Sequence, residues 1–114
     1  MADDVVYVDF TDGVKRVMNN KKLYTKLLAK FRSENKLDGL EAAIAAGDLE
    51  KARTEAHTIK GVAANLSLSE LYKQSLALET RIKEGAADPA LFETVKTAFA
   101  KTLQEIDKVI TENG

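Results

Sequence analysis

Hydrophobic residues recur along this chain at spacings of three and four nearly from end to end, broken only by short polar or glycine-bearing gaps. That period predicts helices. Strand-like, β-branched character is confined to Val5-Val6-Tyr7-Val8, and one isolated extended segment cannot form a core. A short first helix is predicted over Asp12 to Met18, with Val14, Val17 and Met18 apolar, broken by Asn19-Asn20. A second runs from about Lys21 to Ser33 with a stripe of Tyr24, Leu27, Leu28 and Phe31. A third, about Lys36 to Ala46, carries Leu37, Leu40 and Ile44 and stops at Gly47. Asp48 caps a fourth, which continues to about Leu66. Ser67-Leu68-Ser69-Glu70 has capping-box spacing and predicts the start of a fifth helix, which stops at Gly85. Asp88-Pro89 places a cap before proline at the first helical position of a sixth. That helix reaches about Thr111, with Phe92, Val95, Phe99, Leu103, Ile106 and Ile110 on its seam. Short loops between amphipathic helices make neighbours antiparallel. The expectation is therefore all-α: a left-handed, antiparallel up-down four-helix bundle of the longer helices, with the short N-terminal helix against one end.

The fourth helix holds the only histidine, His57. Its apolar residues Leu49, Ala52, Ala56, Ile59, Ala63 and Leu66 form one narrow seam that must face the core. At about 100° per residue the seam centre lies roughly 140° from His57. Lys60, Gly61 and Ala64 share the histidine's side, and Arg53 lies one turn before it. A histidine placed so is most often an ordinary surface residue. Gly61 alters that balance. A mid-helix glycine costs about 1 kcal/mol relative to alanine, and no core neighbour requires one on this side. It clears space for something large to approach the imidazole, and Ala64 extends the same low ground. A free imidazole is largely neutral and nucleophilic near neutral pH, and Lys60 offers a point charge for phosphoryl oxygens.

The 114 residues fit one domain spanning 1–114, large enough to bury a core. With 45% hydrophobic and 31% charged residues the chain is ordinary and globular. A net charge of -1, with no basic block longer than Lys21-Lys22, argues against nucleic acid as a partner. The absence of cysteine excludes disulfides and thiolate chemistry. The acidic start, Met1-Ala2-Asp3-Asp4, lacks signal-peptide features, and no apolar run approaches a membrane span. The expectation is a cytoplasmic chain that does not engage membranes.

The segment Ala56-His57-Thr58-Ile59-Lys60-Gly61-Val62-Ala63-Ala64-Asn65-Leu66 resembles the signature of histidine-containing phosphotransfer (HPt) domains: histidine, any residue, an aliphatic residue, lysine, glycine, then small residues. Leu71, Ser75, Leu78 and Glu79 resemble the family's leucine, small, leucine, glutamate pattern on the following helix. Asp12 to Arg16, and Leu23-Tyr24 through Phe31, resemble HPt N-terminal helices. The resemblance implies a phosphorelay carrier in two-component signalling, with no ATP site and no kinase activity. His57 would be the phosphoacceptor, taking the group from a receiver-domain aspartate or hybrid sensor kinase and passing it to another response-regulator receiver. Lys60 would support the phosphoryl group, and Glu79 would orient the ring by accepting from its proximal N–H. Receivers would dock around Arg53, Thr54, Thr58, Gly61 and Ala64, with apolar help from Val14 and Met18. No cofactor is expected on this chain, since the receiver supplies Mg²⁺, and a monomer is expected. Two departures stand out. Ser67-Leu68 replaces the usual glycine-alanine after the signature helix, and Val62 replaces a residue that is commonly small and polar.

Two other classes compete. A receiver-docking module without phosphotransfer would not require the intact His57, Lys60 and Gly61 group. An enzyme using His57 as general base needs a pocket and a second catalytic group, neither evident here. The sequon Asn65-Leu66-Ser67 and the faint calcium-loop likeness of Asp9 to Gly13 are set aside, the latter for want of alternating ligands and a closing glutamate. One histidine without cysteine makes a metal site unexpected. Lys101, Glu105, Lys108 and Glu112 form a solvated face of the last helix.

Overall fold

Asp9, Asn20 and Asp48 each turn a side-chain oxygen onto the backbone N–H three residues ahead, at 3.1, 3.0 and 3.1 Å, and each starts a helix. The computed structural model describes residues 5–34 and 36–113, so the acidic start Met1 to Asp4 lies outside the described residues. Six helices follow: α1 (Phe10–Arg16), α2 (Lys21–Ser33), α3 (Leu37–Ala45), α4 (Leu49–Asn65), α5 (Ser69–Lys83) and α6 (Pro89–Asn113). Gly47 and Gly85 take left-handed φ values of 70° and 102°, which suit glycine at helix ends. Asp88 accepts from Ala90 N–H at 2.9 Å across Pro89. Asp9, read above within the faint calcium loop, is thus the N-cap of α1.

The bundle has four columns, and the first is broken. Tyr24 near the start of α2 meets Leu66 at the end of α4, whereas Gly39 on α3 meets Glu55 within α4. So α2 and α3 descend in succession along one side, antiparallel to α4. The same column runs antiparallel to α6: Phe31 packs on Phe99 at 5.6 Å, Arg32 pairs with Asp107, and Glu41 faces Lys96. α5 lies between α4 and α6, and α1 sits against α2. The core draws on every helix: Val14, Tyr24, Leu28, Phe31, Leu40, Ala52, Ala56, Ile59, Ala63, Leu71, Leu78, Val95, Phe99 and Ile106 are buried in one cluster. The seam read on the last helix is inside, with Leu103 and Ile110 half-buried at its edge.

Two local expectations give way to tertiary contacts. The capping box does not form. α5 begins at Ser69, Leu68 occupies the cap position without a side-chain bond, and the Val6 carbonyl accepts from Glu70 N–H at 2.9 Å instead. Ser67 stands at φ 57° and turns its hydroxyl away to donate to Asp12 Oδ2 at 2.6 Å. This is the position where the resembling signature has glycine, and its left-handed backbone explains that preference. The segment before α1 is a strap: Asp9 N–H donates to the Ser67 carbonyl at 2.9 Å, fastening it over the α4–α5 turn. In α1 itself the helix begins two residues earlier than predicted and ends before Met18, which has φ 59°.

Candidate functional site

In α4 the residues Ala52, Ala56, Ile59 and Ala63 are between 0 and 1% exposed, whereas the His57 side chain is 66% exposed. Helical period alone places it there, across the helix from the seam. A Cβ built on Gly61 would meet nothing within 4 Å, so the surface one turn beyond the histidine is open.

The decisive neighbour comes from α5. Glu79 sits among Leu78, Ile82 and Ser75 at 2% exposure, yet its carboxylate reaches the base of the imidazole. Its Oε2 lies 2.9 Å from His57 Nδ1. Oε1 faces Lys60 Nζ at 2.8 Å without a well-directed hydrogen bond, so that contact is held by charge. Lys83, one turn further along α5, places Nζ 3.8 Å from Oε2. Burial alone pushes the Glu79 carboxyl up, but the contacts with Lys60 and His57 outweigh it and hold the group below the ordinary glutamate value. The carboxylate is therefore ionised at neutral pH and can only accept. Nδ1 must then carry the ring proton, which leaves Nε2 with its lone pair on the solvent side.

Lys60 follows its helical position only in part. It starts on the histidine's side of α4 but bends toward α5, and its side chain is 20% exposed. Arg53, Thr54, Thr58 and Gly61 are exposed around His57, and Ala64 is half-buried. Thr54 and Thr58 donate to backbone carbonyls one turn earlier, at 3.1 and 3.0 Å, which ties up both hydroxyls. Val14 is a correction. It is 8% exposed and belongs to the core cluster, because α1 turns this residue inward against α2. Met18 is 92% exposed and is thus the apolar residue that α1 presents outward. Val62 and Val17 instead line a cleft with Leu27 and Leu66.

Three residues near this surface escaped the sequence reading. Tyr72, Leu76 and Lys83 share a stripe of α5 with Glu79 at spacings of four, three and four. Tyr72 and Leu76 are exposed. Lys83 lines a shallow recess of about 340 Å³ together with Glu50, Arg53, Thr54, His57 and Glu79. The signal for Lys83 was its i,i+4 spacing from Glu79, which acquires meaning only once Glu79 is known to face His57. Among the described residues no group of acidic and histidine side chains could hold a metal ion, and no helix is long and apolar enough to cross a membrane.

The family model for the Hpt domain matches residues 26–109, most of the chain. No curated protein and no solved structure matches the chain.

Proposed function

Because this chain belongs to the Hpt domain family, whose members pass phosphoryl groups on histidine in phosphorelay signalling, we propose that His57 is the residue that carries the group. The observation that carries this reading is the His57–Glu79 contact, 2.9 Å between Nδ1 and a buried, ionised carboxylate. It holds the ring with Nε2 outward in nucleophilic form.

The step is an in-line transfer. Nε2 attacks phosphorus, the N–P bond forms, and the bond from phosphorus to the receiver aspartate oxygen breaks, returning that aspartate as a carboxylate. The ring becomes cationic as its lone pair is used, since Nδ1 keeps its proton. Glu79 faces that proton and offsets the new positive charge. In the reverse direction the same cationic ring is a better leaving group. Catalysis of this kind needs positioning and charge more than covalent chemistry from the protein. Lys60 supplies charge to the phosphoryl oxygens. The partner receiver holds the Mg²⁺, and this chain contributes no cofactor and no ATP site.

The receiver docks over Arg53, Thr54, Thr58, Gly61 and Ala64, with Met18 on one flank and Tyr72 and Leu76 on the other. The flat surface at Gly61 favours this reading, since a second domain must bring its aspartate to bonding distance of Nε2. The chain acts as a cytoplasmic monomer between a hybrid sensor kinase and response-regulator receivers.

The test is direct. Incubated with a phosphorylated receiver and Mg²⁺, the chain gains one phosphoryl group through an acid-labile, base-stable linkage, as a phosphoramidate is. His57→Gln abolishes labelling and leaves helical content and melting close to wild type, because the ring fills no cavity. Labelling that persists in His57→Gln refutes the assignment.

A further inference from the structure

Glu79 answers to three partners, His57, Lys60 and Lys83, and phosphorylation of His57 would make one of them move. A phosphoryl group brings about one to two negative charges. For Lys60 to serve it, Nζ must leave the carboxylate it now touches at 2.8 Å. Glu79 has a side chain only 3% exposed, and a buried charge that loses its cation is strongly destabilised. His57 keeps one oxygen occupied through Nδ1 but cannot also cover Oε1.

Lys83 is placed to replace Lys60. It lies on the same helix as Glu79, four residues on, and its Nζ stands 3.8 Å from Oε2, too far for a hydrogen bond and close enough to feel the charge. Its side chain is 52% exposed, so a change of rotamer needs no repacking. The recess it shares with Glu79, Arg53 and His57 gives the ammonium room to move inward.

We propose that Lys83 is a positioning residue that takes over the charge of Glu79 while Lys60 turns to the phosphoryl group on His57. The proposal rests on His57 being the phosphoacceptor. Lys83 acts through the carboxylate and does not touch the phosphoryl group.

The test is a double-mutant cycle read by single-turnover transfer from a phosphorylated receiver and by the lifetime of the phosphorylated chain. Lys83→Gln slows transfer or shortens the lifetime by about two- to fivefold, as expected of a half-exposed pair. Lys83→Arg restores it, and melting of both variants stays near wild type. In a Glu79→Gln background, Lys83→Gln has no further effect. An equal effect in both backgrounds overturns the proposal, because it means that Lys83 contacts the phosphoryl group itself. The absence of any effect in either background overturns it too. A readout independent of variants is the pair of side-chain ζ-nitrogen signals in the wild-type chain. Both Lys60 and Lys83 shift when His57 is phosphorylated with phosphoramidate, and a Lys83 signal that does not move is fatal to the handover. Failure of the wild-type chain to be labelled at His57 removes the phosphoacceptor reading as well, whereas normal labelling with an inert Lys83 removes the handover alone.

Discussion

The Tyr24 hydroxyl donates a 2.5 Å hydrogen bond to the carbonyl of Leu66, so a side chain of α2 closes the end of the helix that bears His57. The ring is fully buried and lies against Gly13, where any Cβ would overlap it. Burial, with help from the carboxylates of Asp9 and Asp12, pushes the phenol above its ordinary range, so it stays a donor at physiological pH. Tyr24→Phe strands the buried carbonyl and lowers unfolding free energy by about 1–3 kcal/mol. Denaturant unfolding measures the loss, and phosphoryl transfer in the folded protein is expected to be unchanged, since the contact is far from Nε2.

Gly61 separates stability from function. A methyl group there meets open space, and the backbone is helical, so Gly61→Ala raises stability by about 0.5–1 kcal/mol. Gly61→Arg keeps the fold and blocks transfer by bulk and charge. Thermal melting together with a transfer assay checks both. A Gly61→Arg chain that transfers at the wild-type rate refutes docking over this turn.

Lys60→Ala slows transfer without abolishing it. Loss of a charge-assisted contact of about 1.5 kcal/mol corresponds to roughly a tenfold change in rate. Transfer kinetics at low and high salt measure it, and unchanged rates at both would make Lys60 a bystander.

Glu79 links the site to pH. Its carboxyl is depressed below the ordinary glutamate value of 4.5. A depressed acid stabilises the fold above its unfolded value and loses that contribution as pH falls through the folded one. Glu79→Gln is therefore less stable than wild type by about 1–3 kcal/mol near neutral pH. The gap narrows once pH drops below 4.5 and closes beneath the folded value. Urea unfolding at about pH 7 and about pH 3 tests the sign. A gap that widens on acidification contradicts it.

Ser67 combines a strained backbone with a useful hydroxyl. At φ 57° a residue with Cβ is disfavoured by about 1 kcal/mol, while its Oγ bonds Asp12 at 2.6 Å. That bond, followed by Arg16, holds the Asp12 carboxyl below its usual range. Ser67→Ala keeps the strain and loses the bond, so it lowers the melting temperature more than Ser67→Gly, which loses the bond and relieves the strain. The reverse order in calorimetry would show that the hydroxyl contributes nothing.

The sequence by itself determined what depends on local period and local chemistry. The seam from Leu49 to Leu66 set the burial of α4 and put His57 outside, because a helix repeats every 3.6 residues whatever surrounds it. Asp48, Gly47, Gly85 and Asp88 marked helix ends through bonds and φ values that lie within a few residues. The signature around His57 was likewise contiguous and carried the family. Tertiary structure decided whatever depends on register between helices. Glu79 was legible as a pattern residue, but that its carboxylate lies 2.9 Å from Nδ1 while the rest of it is buried follows from how α5 slides against α4. The bend of Lys60 toward α5 and the place of Lys83 follow from the same register. Val14 and the failed capping box at Ser67 have a common cause. In both, a contact made by a distant segment, α2 against α1 or the Val6 carbonyl against α5, outweighed a preference that the local sequence expressed correctly.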